Sequence, residues 1–228
     1  MDREKNRTKA VIFDIDGVLI DSYQAHLRSW QQVAERYDRE MTEQEFARTF
    51  GRTSREIIRQ LWKDAALSDA DVAAFDQEKE AAFRAIVSEN YPWMDGALEL
   101  ISGLSNAGYQ LAVGSSGPRE NVEMLRSQLG AIHTLAVAVS GSDVQHGKPN
   151  PEVFQRAAEK LDIDSQNCAV IEDAAAGITA ANAAGMLSIG LISTGHEPSE
   201  YTEADHVISR LAELTPERIG RWMDAANG

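Results

Sequence analysis

The sequence of 228 residues predicts an α/β protein with a doubly wound parallel sheet, interrupted once by an all-helical insertion. Two features predict this fold class. From Gly96 onward, short apolar runs alternate with stretches of helical periodicity, which is typical of a parallel sheet covered by helices on both faces. Residues 22–92, between the first apolar run and the second, have helical periodicity and no strand pattern. The helical block therefore interrupts the sheet domain.

The first strand is predicted at Ala10–Phe13, four apolar residues that end abruptly at Asp14. Such a run is typical of a buried parallel strand, whose carboxyl end is where open α/β sheets bind ligands. Asp14 and Asp16 point the same way if the strand direction persists, and Gly17 allows a tight turn. Two neighbouring acids repel each other, which indicates a bound cation or a raised pKa on one of them. The alternative interpretation is an ordinary polar Asp-Gly turn.

The helical block is predicted to contain four helices, because its apolar residues recur at helical spacing. Two helix starts have the pattern of a capping box, Thr42 with Glu45 and Ser68 with Asp71. The second is the weaker pattern, since aspartate is shorter than glutamate.

The rest of the chain alternates between strand and helix. Further strands are predicted at 111–113, 136–139, 168–171, 187–191 and 206–208. Helices are predicted at 97–106, 151–161, 174–184 and 216–226, and a further one runs from the turn at residues 114–118 through Leu129. We therefore expect residues 1–21 and 93–228 to form a Rossmann-like core and residues 22–92 a helical domain. Because this domain leaves the sheet beside Asp14 and Asp16, we expect it to cover them as a lid.

Composition is that of a globular protein, with 43% apolar and 25% charged residues. A net charge of -14 argues against binding to nucleic acid or to anionic membranes. The single cysteine, Cys168, lies in an apolar run and is expected to be a small buried residue rather than a reactive thiol. There is no apolar stretch of membrane-spanning length and no signal-peptide pattern, so we expect a cytoplasmic protein. We also expect a monomer or a weak homodimer.

Polar residues also follow three later strands, at the same predicted edge of the sheet. Ser115 and Ser116 stand in a small turn suited to anions, Lys148 lies between a glycine and a proline, and Glu172 and Asp173 precede a helix. Each has a structural alternative: a serine N-cap, a solvated lysine in a turn, and acids that complement a helix dipole.

Taken together and in this order, these residues resemble the haloacid dehalogenase-like superfamily. Its four motifs match at Asp14 and Asp16, Ser115, Lys148, and Glu172 with Asp173. The resemblance extends from Lys9 to about Leu191, and the phrases DIDGVLIDS, GKPNPEVF and IEDAAAGI are most similar to the branch of β-phosphoglucomutase-like proteins and sugar-phosphate phosphatases. The helical block resembles the small helical cap, of type C1, found in this family.

The resemblance implies phosphoryl transfer through an aspartyl-phosphate. Asp14 is then the nucleophile and Asp16 the general acid and base. Mg²⁺ suits a site of carboxylates and phosphate oxygens, with Asp14, Asp173 and the main-chain oxygen of Asp16 as ligands and Glu172 acting behind them or through water. The second aspartate of the DxD pattern indicates phosphate esters, since dehalogenating and phosphonate-cleaving relatives lack it.

The phosphoryl oxygens are expected to be held by Ser115, Ser116 and Lys148. The predicted substrate is a small phosphorylated metabolite, a sugar or polyol phosphate, which a phosphatase would hydrolyse. The alternatives are a mutase of the β-phosphoglucomutase type and a non-catalytic binding protein on the same fold.

Specificity is expected in the helical domain, where the resemblance to the mutase indicates His26, Gly51-Arg52 and Lys79. The mutase pattern places its arginine nearer Arg55, so the match at Arg52 is shifted. His26 has the alternative of a hinge residue bonded to backbone. Lys79, surrounded by acidic residues, has the slightly favoured alternative of a surface ion-pair partner.

Overall fold

A computed structural model of the chain describes residues 8–49, 52–63, 67–130 and 135–227. The chain divides into two compact units, one made of residues 1–21 and 93–228 and the other of residues 22–92. Whether the smaller unit acts as a cap stays a prediction, and each unit is described by itself below.

The larger unit is built on a six-stranded parallel sheet, which confirms the predicted fold class. The strands are β1 (Ala10–Phe13), β2 (Gln110–Gly114), β3 (Val137–Val139), β4 (Cys168–Glu172), β5 (Leu187–Leu191) and β6 (His206–Ile208). Their order is β3-β2-β1-β4-β5-β6. β1 lies at the centre, paired with β2 on one side and β4 on the other, so the carboxyl ends of these three strands meet at one edge.

Five α-helices accompany the sheet in the described part of the larger unit. They are α5 (Ala97–Asn106), α6 (Arg119–Leu129), α7 (Glu152–Leu161), α8 (Ala175–Ala183) and α9 (Pro216–Ala226). Every residue of β1, β4 and β5 is buried, which is why these strands are mostly apolar and show no alternation of polar and apolar residues. Cys168 is fully buried in this core, as predicted, and burial raises the pKa of its thiol to about 12.

The smaller unit contains four helices in its described residues: α1 (Tyr23–Arg36), α2 (Glu43–Thr49), α3 (Ser54–Leu61) and α4 (Asp69–Glu89). Both predicted capping boxes are present, since Thr42 and Glu45 bond reciprocally, as do Ser68 and Asp71. A third box, which sequence reasoning missed, joins Thr53 and Glu56 at the start of α3. These bonds satisfy amide groups that a helix start otherwise leaves without partners.

None of the described helices has both the length and the apolar character needed to cross a bilayer.

Candidate active site

Asp14 follows the central strand and is almost completely buried. Its amide donates to the carbonyl of Ile171 on β4 at 3.0 Å, which continues the ladder by one residue and fixes the direction of the side chain. Asp14 is 7% exposed, although it bears a carboxylate. Burial of this kind requires compensating charge or a shifted pKa.

A tight turn begins directly after Asp14. The amides of Leu19 and Ile20 both donate to the carbonyl of Ile15, and Gly17 adopts a φ of 75°, which favours glycine. A Cβ at position 17 would also overlap the carboxylate of Asp173. The prediction that Asp14 and Asp16 point the same way assumed that the strand continues through residue 16. β1 ends at residue 13, so this assumption is not met and strand geometry does not govern Asp16.

Lys148 reaches into the site from the loop before α7. Its Nζ donates to Asp14 Oδ1 at 2.6 Å and to Glu172 Oε1 at 2.5 Å, and lies 4.8 Å from the centre of the Phe154 ring. Its side chain is 8% exposed, so the alternative of a solvated turn lysine is wrong. Burial works against the charge of Lys148, but the two carboxylates raise its pKa above the ordinary value.

The loop that carries Lys148 is held by Glu152, at the first position of α7. The Glu152 carboxylate accepts hydrogen bonds from the amides of Gln145 and His146 at 3.1 and 3.0 Å. Arg156, one helical turn later, donates to the other oxygen of Glu152 at 2.9 Å. Glu152 is therefore positioned to fix the path of the chain just before Lys148.

Asp14, Glu172 and Asp173 form a cluster of buried carboxylates whose candidate ligand oxygens all lie within 4.8 Å of one another. Burial raises the pKa of Asp14 to about 7, opposed by the charge of Lys148. Burial, with the charges of Glu172 and Asp14, raises the pKa of Asp173 well above its ordinary value. A divalent cation would relieve this shared destabilisation, and hard carboxylate oxygens are the ligands that Mg²⁺ prefers. The residues present therefore fit such an ion.

Glu172 is engaged at both of its oxygens. Oε1 accepts from Lys148, and Oε2 accepts from the amide of Ala174 at 2.8 Å. Gly177, in the first turn of α8, leaves the space that the carboxylate fills. The role of Glu172 behind the metal ligands stays a prediction.

Ser115 and Ser116 follow β2, the neighbour of β1. Ser115 is buried; its amide donates to the carbonyl of Val139 at 3.0 Å, and its Oγ accepts from the amide of Gly117 at 3.0 Å. The N-cap of α6 is Pro118, so the alternative of a serine cap is wrong. Ser116 is exposed. Phosphate binding by the two serines stays a prediction.

Sequence reasoning missed three residues that contact Asp173. Ser193 Oγ donates to Asp173 Oδ2 at 2.7 Å, and His196 Nε2 lies 3.7 Å from the same oxygen. The Tyr201 hydroxyl donates to the main-chain oxygen of Asp173 at 2.6 Å. All three follow β5, the strand next to β4. The same search of strand ends that found the other motifs could have found Ser193.

In the helical unit, the structure brings His26 and Lys79 together. Lys79 Nζ lies 2.8 Å from His26 Nδ1 and donates to Glu80 Oε1 at 2.8 Å, while the His26 ring stacks on Phe83 at 3.9 Å. Lys79 does pair with an acidic neighbour, Glu80, but it is 3% exposed, so its predicted surface location is wrong. It lies four residues after Phe75 and four before Phe83, which places it on the buried face of α4.

The structure also describes Arg52, another of the residues expected to set specificity. Arg52 is exposed, and its Nη1 donates to Gln60 Oε1 at 2.5 Å. Gly51 falls outside the described residues. The roles of His26, Arg52 and Lys79 in substrate binding stay predictions.

Comparison with known proteins identifies the family. Residues 11–191 match the model of the haloacid dehalogenase-like hydrolases. Validoxylamine A 7′-phosphate phosphatase of Streptomyces hygroscopicus subsp. limoneus is 32% identical over 214 residues, which cover 93% of this chain and 98% of that protein. β-Phosphoglucomutase of Bacillus subtilis strain 168 is 29% identical over 221 residues, which cover 92% and 93%.

A solved structure shares the fold as well. The crystal structure of β-phosphoglucomutase from Clostridium difficile has a TM-score of 0.83 at 24% identity, covering 96% of this chain and 98% of that one. The family match includes Asp14, Lys148, Glu172 and Asp173. The resemblance seen in the sequence motifs is thereby confirmed: the chain belongs to the haloacid dehalogenase-like hydrolase family.

Proposed function

We propose that the protein is a Mg²⁺-dependent phosphatase that hydrolyses sugar or polyol phosphates through an aspartyl-phosphate on Asp14. The observation that carries the proposal is the convergence of Asp14 with Lys148, Glu172 and Asp173 at the carboxyl edge of the sheet. These residues come from three separate segments of the chain, and because burying charged groups costs free energy, such a cluster indicates a functional site.

In the first half of the reaction, a carboxylate oxygen of Asp14 attacks the phosphorus atom of the ester. The bond from phosphorus to the ester oxygen breaks as Asp16 gives its proton to that oxygen, and the alcohol leaves. In the second half, Asp16 takes a proton from water, whose oxygen attacks the phosphorus atom. The bond between phosphorus and the Asp14 oxygen breaks, so inorganic phosphate leaves and the carboxylate of Asp14 is restored.

Lys148 has two tasks in this scheme. Its ammonium favours the ionised form of Asp14 despite burial, which the nucleophile needs. With substrate present it can also bind the phosphoryl oxygens, together with Ser115 and Ser116. Asp14, Asp173 and the main-chain oxygen of Asp16 would hold Mg²⁺, with Glu172 behind them. The bound ion supplies positive charge that stabilises the phosphoryl group during transfer.

The test is phosphate release from a panel of sugar and polyol phosphates, measured with Mg²⁺ and with excess chelator. The wild type should release phosphate only with Mg²⁺. Asp14→Asn should abolish turnover, because an amide cannot accept the phosphoryl group, and its circular dichroism spectrum should match that of the wild type. Asp162→Asn, the same exchange at an exposed position, is the matched control and should keep full activity. Substantial turnover by Asp14→Asn would remove Asp14 as the nucleophile.

A mutase is the second candidate, favoured by the similarity to the β-phosphoglucomutase of Bacillus subtilis. It is less well supported, because Arg52 and Arg55 are bonded to Gln60 and Asp76 within the helical unit. Both reactions use the same core residues and differ in whether water or a sugar phosphate accepts the phosphoryl group. Interconversion of glucose 1-phosphate and glucose 6-phosphate without phosphate release would establish the mutase instead. A non-catalytic binding protein is disfavoured, since it would not need a reactive residue type at every motif position.

A further inference from the structure

The segment that follows β5 holds Asp173 at two points. Ser193 Oγ donates to Asp173 Oδ2 at 2.7 Å. The Tyr201 hydroxyl lies 2.6 Å from the main-chain oxygen of Asp173 and 2.8 Å from that of Leu191, so it bridges the ends of β4 and β5. Side chain and backbone of Asp173 are thus both held by residues outside the four family motifs.

The same carboxylate oxygen is enclosed from two further directions. A Cβ at position 17 would overlap Asp173 Oδ2, which shows that the oxygen lies directly against the Gly17 backbone. On another side, His196 Nε2 lies 3.7 Å from it, and the His196 ring is fixed by a contact of 2.9 Å between its Nδ1 and Glu200 Oε2. The His196 side chain is 6% exposed. Oδ2 therefore has little freedom to turn towards the other carboxylates.

We propose that Ser193 is a positioning residue for the metal site: by holding Asp173 Oδ2, it presents Oδ1 of the same carboxylate to Mg²⁺. The inference rests on the proposed function, in which Asp173 is a metal ligand. A carboxylate held at one oxygen has already lost its rotational freedom before the ion arrives, so less of the binding free energy is spent on ordering it. Removing such a supporting hydrogen bond lowers metal affinity by roughly 10–100-fold in other proteins.

If Ser193 only stabilised the fold, its replacement would affect Mg²⁺ binding through a general loss of stability. Ser188 on β5 supplies a matched control for this alternative. Ser188 Oγ lies 3.1 Å from the carboxylate oxygen Oδ2 of Asp205, the same type of contact as at Ser193, but at a residue that is not part of the carboxylate cluster. Ser188 is 0% exposed, whereas Ser193 is only half-buried, so Ser188→Ala is the harsher test of stability. An effect on Mg²⁺ that occurs in Ser193→Ala and not in Ser188→Ala therefore cannot come from general loss of stability.

The experiment is Mg²⁺ titration by calorimetry on the wild type, Ser193→Ala, Ser193→Thr and Ser188→Ala, with thermal unfolding to check folding. We expect Ser193→Ala to raise the Kd for Mg²⁺ by about 10-fold or more, Ser193→Thr to recover most of the affinity because it keeps the hydroxyl, and Ser188→Ala to bind as the wild type does. In kinetics, Ser193→Ala should need more Mg²⁺ for half-maximal rate and reach the wild-type kcat at saturation.

The possible outcomes separate this inference from the proposed function. Unchanged Mg²⁺ affinity in Ser193→Ala, with the wild type binding normally, would overturn the role of Ser193 and leave the phosphatase intact. A wild type that binds no Mg²⁺ would overturn both. Equal loss of affinity in Ser193→Ala and Ser193→Thr would also contradict the inference, since the hydroxyl is present in the second variant.

Discussion

Replacing Gly177 with alanine separates the stability of a helix from the geometry of the candidate site. Gly177 lies in the first turn of α8, and a Cβ built on it would overlap the carboxylate of Glu172 and lie 2.6 Å from its Cγ. Because Glu172 bonds Lys148 and the amide of Ala174, it cannot move without giving up one of these partners.

Two effects of this substitution oppose each other. Alanine is favoured over glycine in a helix by about 0.5–1 kcal/mol. Overpacking a filled site costs about 1–3 kcal/mol, and each hydrogen bond lost by the charged Glu172 costs about 1.5–3 kcal/mol more. With one bond lost, we expect a net decrease of roughly 2–5 kcal/mol in the free energy of unfolding, or a fall in Tm on the order of 10 °C. Activity should fall about 10²-fold, since displacing Glu172 also displaces Lys148.

The control is Gly103→Ala in α5, where a Cβ would have nothing within 4 Å. This variant should be more stable than the wild type by about 0.5–1 kcal/mol and fully active, because only the helix term applies. Thermal unfolding of the metal-free proteins and phosphate-release kinetics measure both quantities. If Gly177→Ala is as stable and as active as Gly103→Ala, the Glu172 carboxylate is not held where the structure has it, and the reasoning fails.

Three further predictions concern other parts of the molecule. Asp16→Asn should slow breakdown of the phosphoenzyme by about 10²–10⁴-fold, so that acid quenching traps it; turnover at the wild-type rate would exclude Asp16 as the acid and base. Burial would raise the pKa of Glu152, but hydrogen bonds from two loop amides outweigh it and lower the pKa to about 2, below that of the unfolded chain. The stabilisation by Glu152 is therefore complete above about pH 4.5 and is lost as the pH falls towards 2. In urea unfolding at pH 6 and pH 3, the free energy of unfolding should fall less between the two pH values in Glu152→Gln than in the wild type. Lys79→Met leaves Glu80 buried without its ammonium partner and should destabilise the helical unit by about 3–5 kcal/mol. The double variant with Glu80→Gln should recover part of this stability. A Lys79→Met protein as stable as the wild type would contradict the prediction.

Much of the fold follows from local patterns that a sequence displays directly. The strands at 187–191 and 206–208 and the helices at 97–106 and 216–226 agree with the structure residue for residue. Buried parallel strands appear as short apolar runs, and helices by their periodicity and capping residues. The small differences occur at element ends, as at α7, where Pro151 is the N-cap rather than a helical residue.

The part of the candidate site that could be predicted from the sequence is the set of residues that follow parallel strands. Asp14, Lys148, Glu172 and Asp173 are brought together because parallel strands deliver their carboxyl ends to one edge, which the order of motifs already indicates. Asp16 differs, because the strand ladder ends at Asp14 and a tight turn follows, so period-two geometry no longer applies.

By itself, the sequence determined the fold class, the four-helix insertion and the residue types that gather at the edge of the sheet. Only the tertiary structure decided which of these residues are buried and what each one contacts. Lys148 and Lys79 had solvated alternatives in the sequence, yet both are buried against carboxylates. Ser193 contacts Asp173 across 20 positions of the chain. Partner identity depends on how distant segments pack, and local periodicity does not say which distant side chain a residue will contact.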